Sequence, residues 1–318
     1  MIKRPFAKLC LVLAVGAAML ALAAPVAVAD PSGPETTSFS SALAYALTHP
    51  DADAPGANDW SCHPSASHPR PVVLAHGRTE NRYDNWARLA PALSRAGYCV
   101  YALNYGHETE SVLGLHPAIM GLGDNRLSAK EFATFVDRVR SATGATQVDV
   151  VGHSQGVLVV RQYLRFEGGA NPSNPSLNKV RTLVSISGAN HGISIPGLEP
   201  VLLKLMGVAA PIVGTGQQQV FAGSDFIGAL NDGSETMPGV NYMAIATRYD
   251  EAAIPYGTSF LSAGADATVR NVTLQDGCEI DLSEHFGISY SPRTIGYVLE
   301  ALDGSAPPPP CQFQPPLP

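Results

Sequence analysis

Charge is scarce in this chain: Asp, Glu, Lys and Arg make up 15% of its 318 residues, where about 25% is usual for a soluble domain. The shortage does not signal disorder, which combines few apolar residues with high net charge, because 45% of the residues are hydrophobic. One sizeable core is within reach. Basic residues are the scarcer sign, 20 against 27 acidic, and this balance argues against electrostatic binding of nucleic acid. Beyond the N-terminus no apolar run approaches the ~20 residues of a membrane span. Internal repeats are missing, no group of His, Cys and Asp has metal-ligand spacing, and there is no glycine-rich phosphate loop. No cofactor is expected.

What is present begins with an export pattern. Lys3, Arg4 and Lys8 precede an apolar run from Leu9 to Ala24, and the small triplet Ala27-Val28-Ala29 follows it. Residues 1–29 therefore read as a signal peptide, with an uncleaved anchor as the alternative that the short apolar run disfavours. Cleavage would leave 17 basic against 27 acidic residues, a net charge of −10. Cys10 would depart with the signal. Cys62, Cys99, Cys278 and Cys311 would remain, an even number in an oxidising compartment that permits three pairings.

Residues 30–69 are rich in Pro, Ala and Ser and read as an N-terminal arm with one short helix near 40–47. Apolar runs then alternate with helical patterns. Strands are predicted at 71–75, 99–103, 147–151, 180–186, 241–247 and 267–274. Between them lie helices through Trp86, Leu89, Leu93 and Ala96, through Phe132, Phe135, Val136 and Val139, and over 156–166. A last helix starts at Ser291-Pro292. Ser128 and Glu131 have the spacing of a capping box, which places the start of the second helix there. Continuously apolar strands separated by helices predict an α/β fold, a mostly parallel sheet with helices on both faces. The catalytic domain is assigned to 70–305. Residues 192–239 interrupt the rhythm as a cap insertion, and 306–318 form a Pro-rich tail. In the insertion Leu198, Val201, Leu202, Leu205 and Met206 recur at helical spacing, and this face is expected to line an apolar trough.

The chemistry centres on VDVVGHSQG at 148–156, which contains Gly-x-Ser-x-Gly as Gly152, Ser154 and Gly156. An apolar strand runs into it and a helix leaves it, as a strained strand-to-helix turn with an exposed serine requires. A serine hydroxyl needs a base, and the base needs a carboxylate to fix its tautomer. Only His191 and His285 follow Ser154. His191 comes too soon after its strand for a carboxylate to precede it, so His285 is the candidate base. Among the acids between Ser154 and His285, Asp250 is best placed, just beyond the strand at 241–247, with Glu251, Asp266 and Asp276 as rivals. Acyl transfer also needs two amide donors for the oxyanion. Gln155, after the nucleophile, supplies one, and Arg78, in the loop opening His76-Gly77-Arg78, supplies the other. His76 is expected to be structural.

PVVLAHG (71–77), YDNWARLAPAL (83–93), GYCVYALNYG (97–106), VDVVGHSQG (148–156), IATRYDEAAIPY (245–256), QDGC (275–278) and EHFGI (284–288), in this order, resemble secreted triacylglycerol lipases of actinobacterial type in the α/β-hydrolase superfamily. The resemblance spans roughly 60–303. It implies Ser154 as nucleophile, Asp250 as acid, His285 as base and Arg78 with Gln155 as oxyanion donors. One departure is Val157, where many relatives have a second glycine. The expected function is a secreted serine lipase or esterase that cleaves acyl-glycerol or other acyl esters through an acyl-serine intermediate. Its partner would be the ester or lipid substrate, met at a lipid–water interface, with no integral membrane segment after signal cleavage. A cell-envelope acyltransferase, a polyester or cutin hydrolase and a non-catalytic scaffold are the alternatives. The expected disulfides are Cys62–Cys99, tying the arm to the strand at 99–103, and Cys278–Cys311, tying the tail to the loop before His285.

Overall fold

Six strands form one sheet in the computed structural model, which describes residues 32–316. They are β1 (Val72–Ala75), β2 (Val100–Ala102), β3 (Val148–His153), β4 (Val180–Ile186), β5 (Asn241–Ala246) and β6 (Thr268–Thr273). Their spatial order is β2-β1-β3-β4-β5-β6 and every pair is parallel. The predicted signal peptide and Cys10 lie outside the described residues. Among the described residues no helix is long and apolar enough to cross a membrane.

Parallel neighbours need long crossovers. Those here carry α2 (Leu89–Arg95), α3 (Asn125–Thr143) and α4 (Gln155–Phe166), then α5 (Glu199–Val213) with α6 (Asp225–Asn231) between β4 and β5. Before the sheet comes α1 (Phe39–Thr48), and after it α7 (Pro292–Leu302). Successive strand residues point to opposite faces. Val73, Val150 and Leu183 accordingly join Phe132, Val136, Val160 and Tyr163 of α3 and α4 in one core. Val72, Leu74, Val151 and Val184 join Trp86, Leu89, Leu93 and Val298 in the other. Double coverage is why these strands are continuously apolar, whereas edge strand β6 exposes Thr268, Arg270 and Asn271.

One helix boundary departs from expectation. The N-cap of α3 is Asp124, whose carboxylate accepts from the amides of Arg126 (2.7 Å) and Leu127 (3.4 Å). Ser128 already lies in the first turn, its hydroxyl donating to the Asp124 carbonyl, and Glu131 accepts from Gly106 N instead of closing a capping box. The cap falls earlier because a carboxylate just ahead of the first turn reaches two free amides where a mid-turn serine reaches none.

The chain before β1 is bound to the sheet. Phe39, Ala42 and Ala46 of α1 pack with Tyr83, Ala87 and Tyr290. Asn58 then lies along the outer edge of β2: its amide nitrogen donates to Val100 O, its side-chain amide donates to Ala102 O (2.9 Å), and its side-chain oxygen accepts from Ala102 N (2.9 Å). Cys62–Cys99 closes beside it, and Cys278–Cys311 ties the tail to the chain before His285.

Candidate active site

Between His153, the last residue of β3, and Gln155, the first of α4, stands one residue. Ser154 has φ 52° and ψ −125°, a conformation costly for a residue with a side chain. The surroundings impose it. Ser154 N donates to Ile186 O on the neighbouring strand, and α4 approaches β1 so closely that a Cβ on Gly156 would stand 2.3 Å from Ala75 O and 2.5 Å from His76 O. Val157 is buried, and the adjoining chain makes room for it at Gly188, where a Cβ would come within 2.9 Å of the valine side chain. The turn therefore presents the Ser154 hydroxyl at the carboxyl end of the sheet.

Two loops from other strand ends meet it there. His285 Nε2 is 2.8 Å from Ser154 Oγ, and His285 Nδ1 is 2.8 Å from Asp250 Oδ1. With Nδ1–H donating to the carboxylate, Nε2 is left to accept the serine proton. Asp250 follows β5 by four residues, and its Oδ1 also accepts from Ala252 N (3.0 Å) and Ala253 N (2.7 Å). Burial alone would raise the Asp250 pKa, but the hydrogen bond and charge of His285 outweigh it and hold the carboxyl below its ordinary value. Burial alone would lower His285, but the hydrogen bond and charge of Asp250, with the charges of Glu80 and Glu251, raise it.

No hydrogen bond joins the rival acids to the His285 ring. Glu251 accepts from His285 N (3.1 Å), Asp276 pairs with Arg248 at the surface, and Asp266 sits in an exposed turn. His191 is exposed and bonded to Glu235. His76 is buried and stacked on Tyr105, and burial lowers its pKa to about 4, so it is neutral.

A cavity of about 210 Å³ opens over Ser154, lined by Arg78, Thr79, Gln155, Ala189, Ile193, Gln217, Val220, Ala252, Ala253, His285 and Phe286. Both expected amide donors, Arg78 and Gln155, border it. The Arg78 guanidinium also bonds Gln217 Oε1 and Val213 O, linking the loop after β1 to the segment between β4 and β5. That segment supplies Ile193, Gln217 and Val220 to the wall, but α5 supplies none of it. The expectation that Leu202 and Leu205 line the trough is thereby corrected. Leu202 and Met206 pack against the apolar cluster that contains Val220, Phe221 and Phe226, while Leu198, Val201 and Leu205 face solvent. Helical spacing does not say what an apolar side chain will pack against.

Sequence reasoning missed three buried polar side chains behind the site. Glu80, Asn85 and His153 are each about 1% exposed or less. His153 sits inside the serine motif and Glu80 three residues after Gly77, so proximity in sequence to the expected turn and loop was the available signal.

A family model described as Lipase (class 2) matches residues 69–287. Among solved structures, Aspergillus fumigatus lipase B is similar at 19% identity and a TM-score of 0.61, covering 80% of this chain and 56% of that one. Bacillus licheniformis lipase BlEst2 in its mature form is similar at 14% identity and a TM-score of 0.50, covering 76% of this chain and 94% of that one. This chain thus spans little more than half the length of the Aspergillus lipase. At these identities the likeness is one of fold, the α/β-hydrolase fold.

Proposed function

This chain belongs to the class 2 lipase family, and on that premise we propose that it is a lipolytic hydrolase whose nucleophile is Ser154. The observation that supports this reading is the pair of 2.8 Å contacts linking Ser154, His285 and Asp250 at a strained turn that borders a cavity. As Ser154 Oγ attacks the ester carbonyl carbon, its proton passes to His285 Nε2. Asp250 holds the ring in the required tautomer and stabilises the imidazolium. The oxyanion accepts from the amides of Arg78 and Gln155, each such donor contributing about 10²–10³-fold in rate. Collapse breaks the ester C–O bond and the departing alcohol takes the proton from His285. Water, deprotonated by the same ring, then attacks the acyl-serine and releases the carboxylic acid.

The substrate class in this reading is an acyl ester, acylglycerols included. Residues 70–305 form the catalytic domain, with 30–69 as its arm and 192–239 as its cap. Secretion is favoured by the export pattern of residues 1–29 and by two disulfides, which persist in oxidising compartments. The test is hydrolysis of p-nitrophenyl butyrate and emulsified triglyceride by the wild type and Ser154→Ala, with stoichiometric fluorophosphonate labelling of the wild type. The substitution is expected to lower kcat by several orders of magnitude and to abolish labelling. A folded variant retaining more than about a tenth of wild-type activity would overturn the assignment.

A further inference from the structure

Two titratable side chains outside the Ser154–His285–Asp250 series are wholly buried beside it. His153 ends β3 and Glu80 lies in the loop after β1, 0% and 1% exposed. Stability gives little reason for such a pair, because apolar side chains of the same shape would serve as well.

The hydrogen bonds supply a reason. His153 Nε2 lies 2.9 Å from the carbonyl oxygen of His285. A carbonyl only accepts, so Nε2 holds a proton and donates it. His153 Nδ1 lies 2.8 Å from Glu80 Oε2, and a second proton lies between these two atoms, since a bare ring nitrogen and a carboxylate would repel one another. Glu80 therefore fixes the form of His153 in which Nε2–H is committed to the His285 backbone. Asn85 joins the cluster to the loop that holds Arg78. Its Oδ1 accepts from Gly77 N (2.9 Å), which turns its Nδ2 toward His153 Nδ1 and Ser289 Oγ. The fit demands glycine at 77, where a Cβ would stand 2.0 Å from Glu80 Oε2 and 3.0 Å from His153 Nδ1.

We propose that Glu80 and His153 are positioning residues of the reaction: His153 holds the backbone of His285 so that its ring reaches Ser154, and Glu80 holds His153 in the form that donates from Nε2. The role rests on the reading of His285 as the base. It extends the triad's own logic by one step, the acid fixing a ring whose other nitrogen then orients the next group.

Steady-state kinetics with p-nitrophenyl butyrate on the full chain test it, with folding checked by circular dichroism. His153→Leu and Glu80→Met are expected to lower kcat about tenfold to a hundredfold, the cost of leaving the buried His285 carbonyl without a fixed donor, with KM within about twofold. Glu80→Gln donates its amide proton to Nδ1, leaves the other proton on Nε2 and is expected to keep kcat within about threefold of the wild type. A merely structural role would lower the urea midpoint of Glu80→Met relative to Glu80→Gln and leave kcat of the folded enzyme unchanged. Wild-type kcat in a folded His153→Leu enzyme overturns the proposal, and so does a Glu80→Gln enzyme as impaired as Glu80→Met. Should His153→Leu fail to fold, the two variants at 80 decide. Retained activity in Ser154→Ala would instead overturn the triad itself, whatever the behaviour of Glu80 and His153.

Discussion

His285 sets the pH behaviour expected of this site. Its pKa is raised above the ordinary 6.5: burial lowers it, and the hydrogen bond and charge of Asp250, then the charges of Glu80 and Glu251, more than compensate. Only the neutral ring takes the proton of Ser154, so kcat/KM is expected to fall as pH drops through a value above 6.5. Asp250→Asn removes the largest raising influence, so the acid limb should move to lower pH while kcat falls about 10³–10⁴-fold through the wrong tautomer. Rate profiles from pH 5 to 9 on both enzymes check this, and a limb that stays in place would contradict it. At this scale the sequence was informative where order along the chain restricts the choice. Two histidines follow Ser154 and few acids stand just beyond a strand end, so Ser154, Asp250 and His285 could be named as candidates, with Glu251 and Asp276 as rivals to Asp250. Glu80, Asn85 and His153 were not named, because nothing in the local pattern of a polar residue says that it is buried, and their partners lie 73 and 132 residues away in the chain.

Among the elements, α3 offers the clearest test of a boundary. Asp124 caps its first turn and also accepts from Gln219 Nε2 (2.6 Å) in the 3₁₀ turn at Thr215–Val220, beside the cavity. Asp124→Ala is expected to cost about 0.5–2 kcal/mol, measured as a lower urea midpoint at unchanged slope. No measurable change would mean that the cap is redundant. The strands were legible because a doubly covered parallel sheet leaves a continuous apolar run, and α7 because Ser291-Pro292 marks a helix start. The start of α3 was misplaced because Ser128 and Glu131 match the capping spacing while already inside the helix. In α5 the limit is of another kind. Its apolar residues surround the axis, and no residue of the helix is fully buried, so periodicity had no polar face from which to tell inside from outside.

For the molecule as a whole, the cavity over Ser154 is where the acyl group is expected to lie. Its volume of about 210 Å³ is that of about seven waters. Each methylene buried there contributes up to about 0.8 kcal/mol, so kcat/KM for p-nitrophenyl esters should rise up to about fourfold per carbon and level off near six to eight carbons. A series from acetate to palmitate measures this, and a rise sustained to palmitate would place the acyl chain beyond this pocket. The two-faced architecture followed from composition and rhythm alone. The closure of the β2 edge did not, because it depends on one side chain imitating a peptide unit. An open sheet edge is a template on which any extended chain can add a strand. At β2 the Asn58 amide takes both hydrogen bonds of Ala102, so a seventh strand finds no free donor or acceptor at that residue, and Cys62–Cys99 keeps the plug in place. The molecule's protection against edge-to-edge self-association at this edge therefore rests on two kinds of tie: reduction would release the covalent one, and the Asn58 hydrogen bonds and the Trp60–Tyr101 ring contact would still cover the strand.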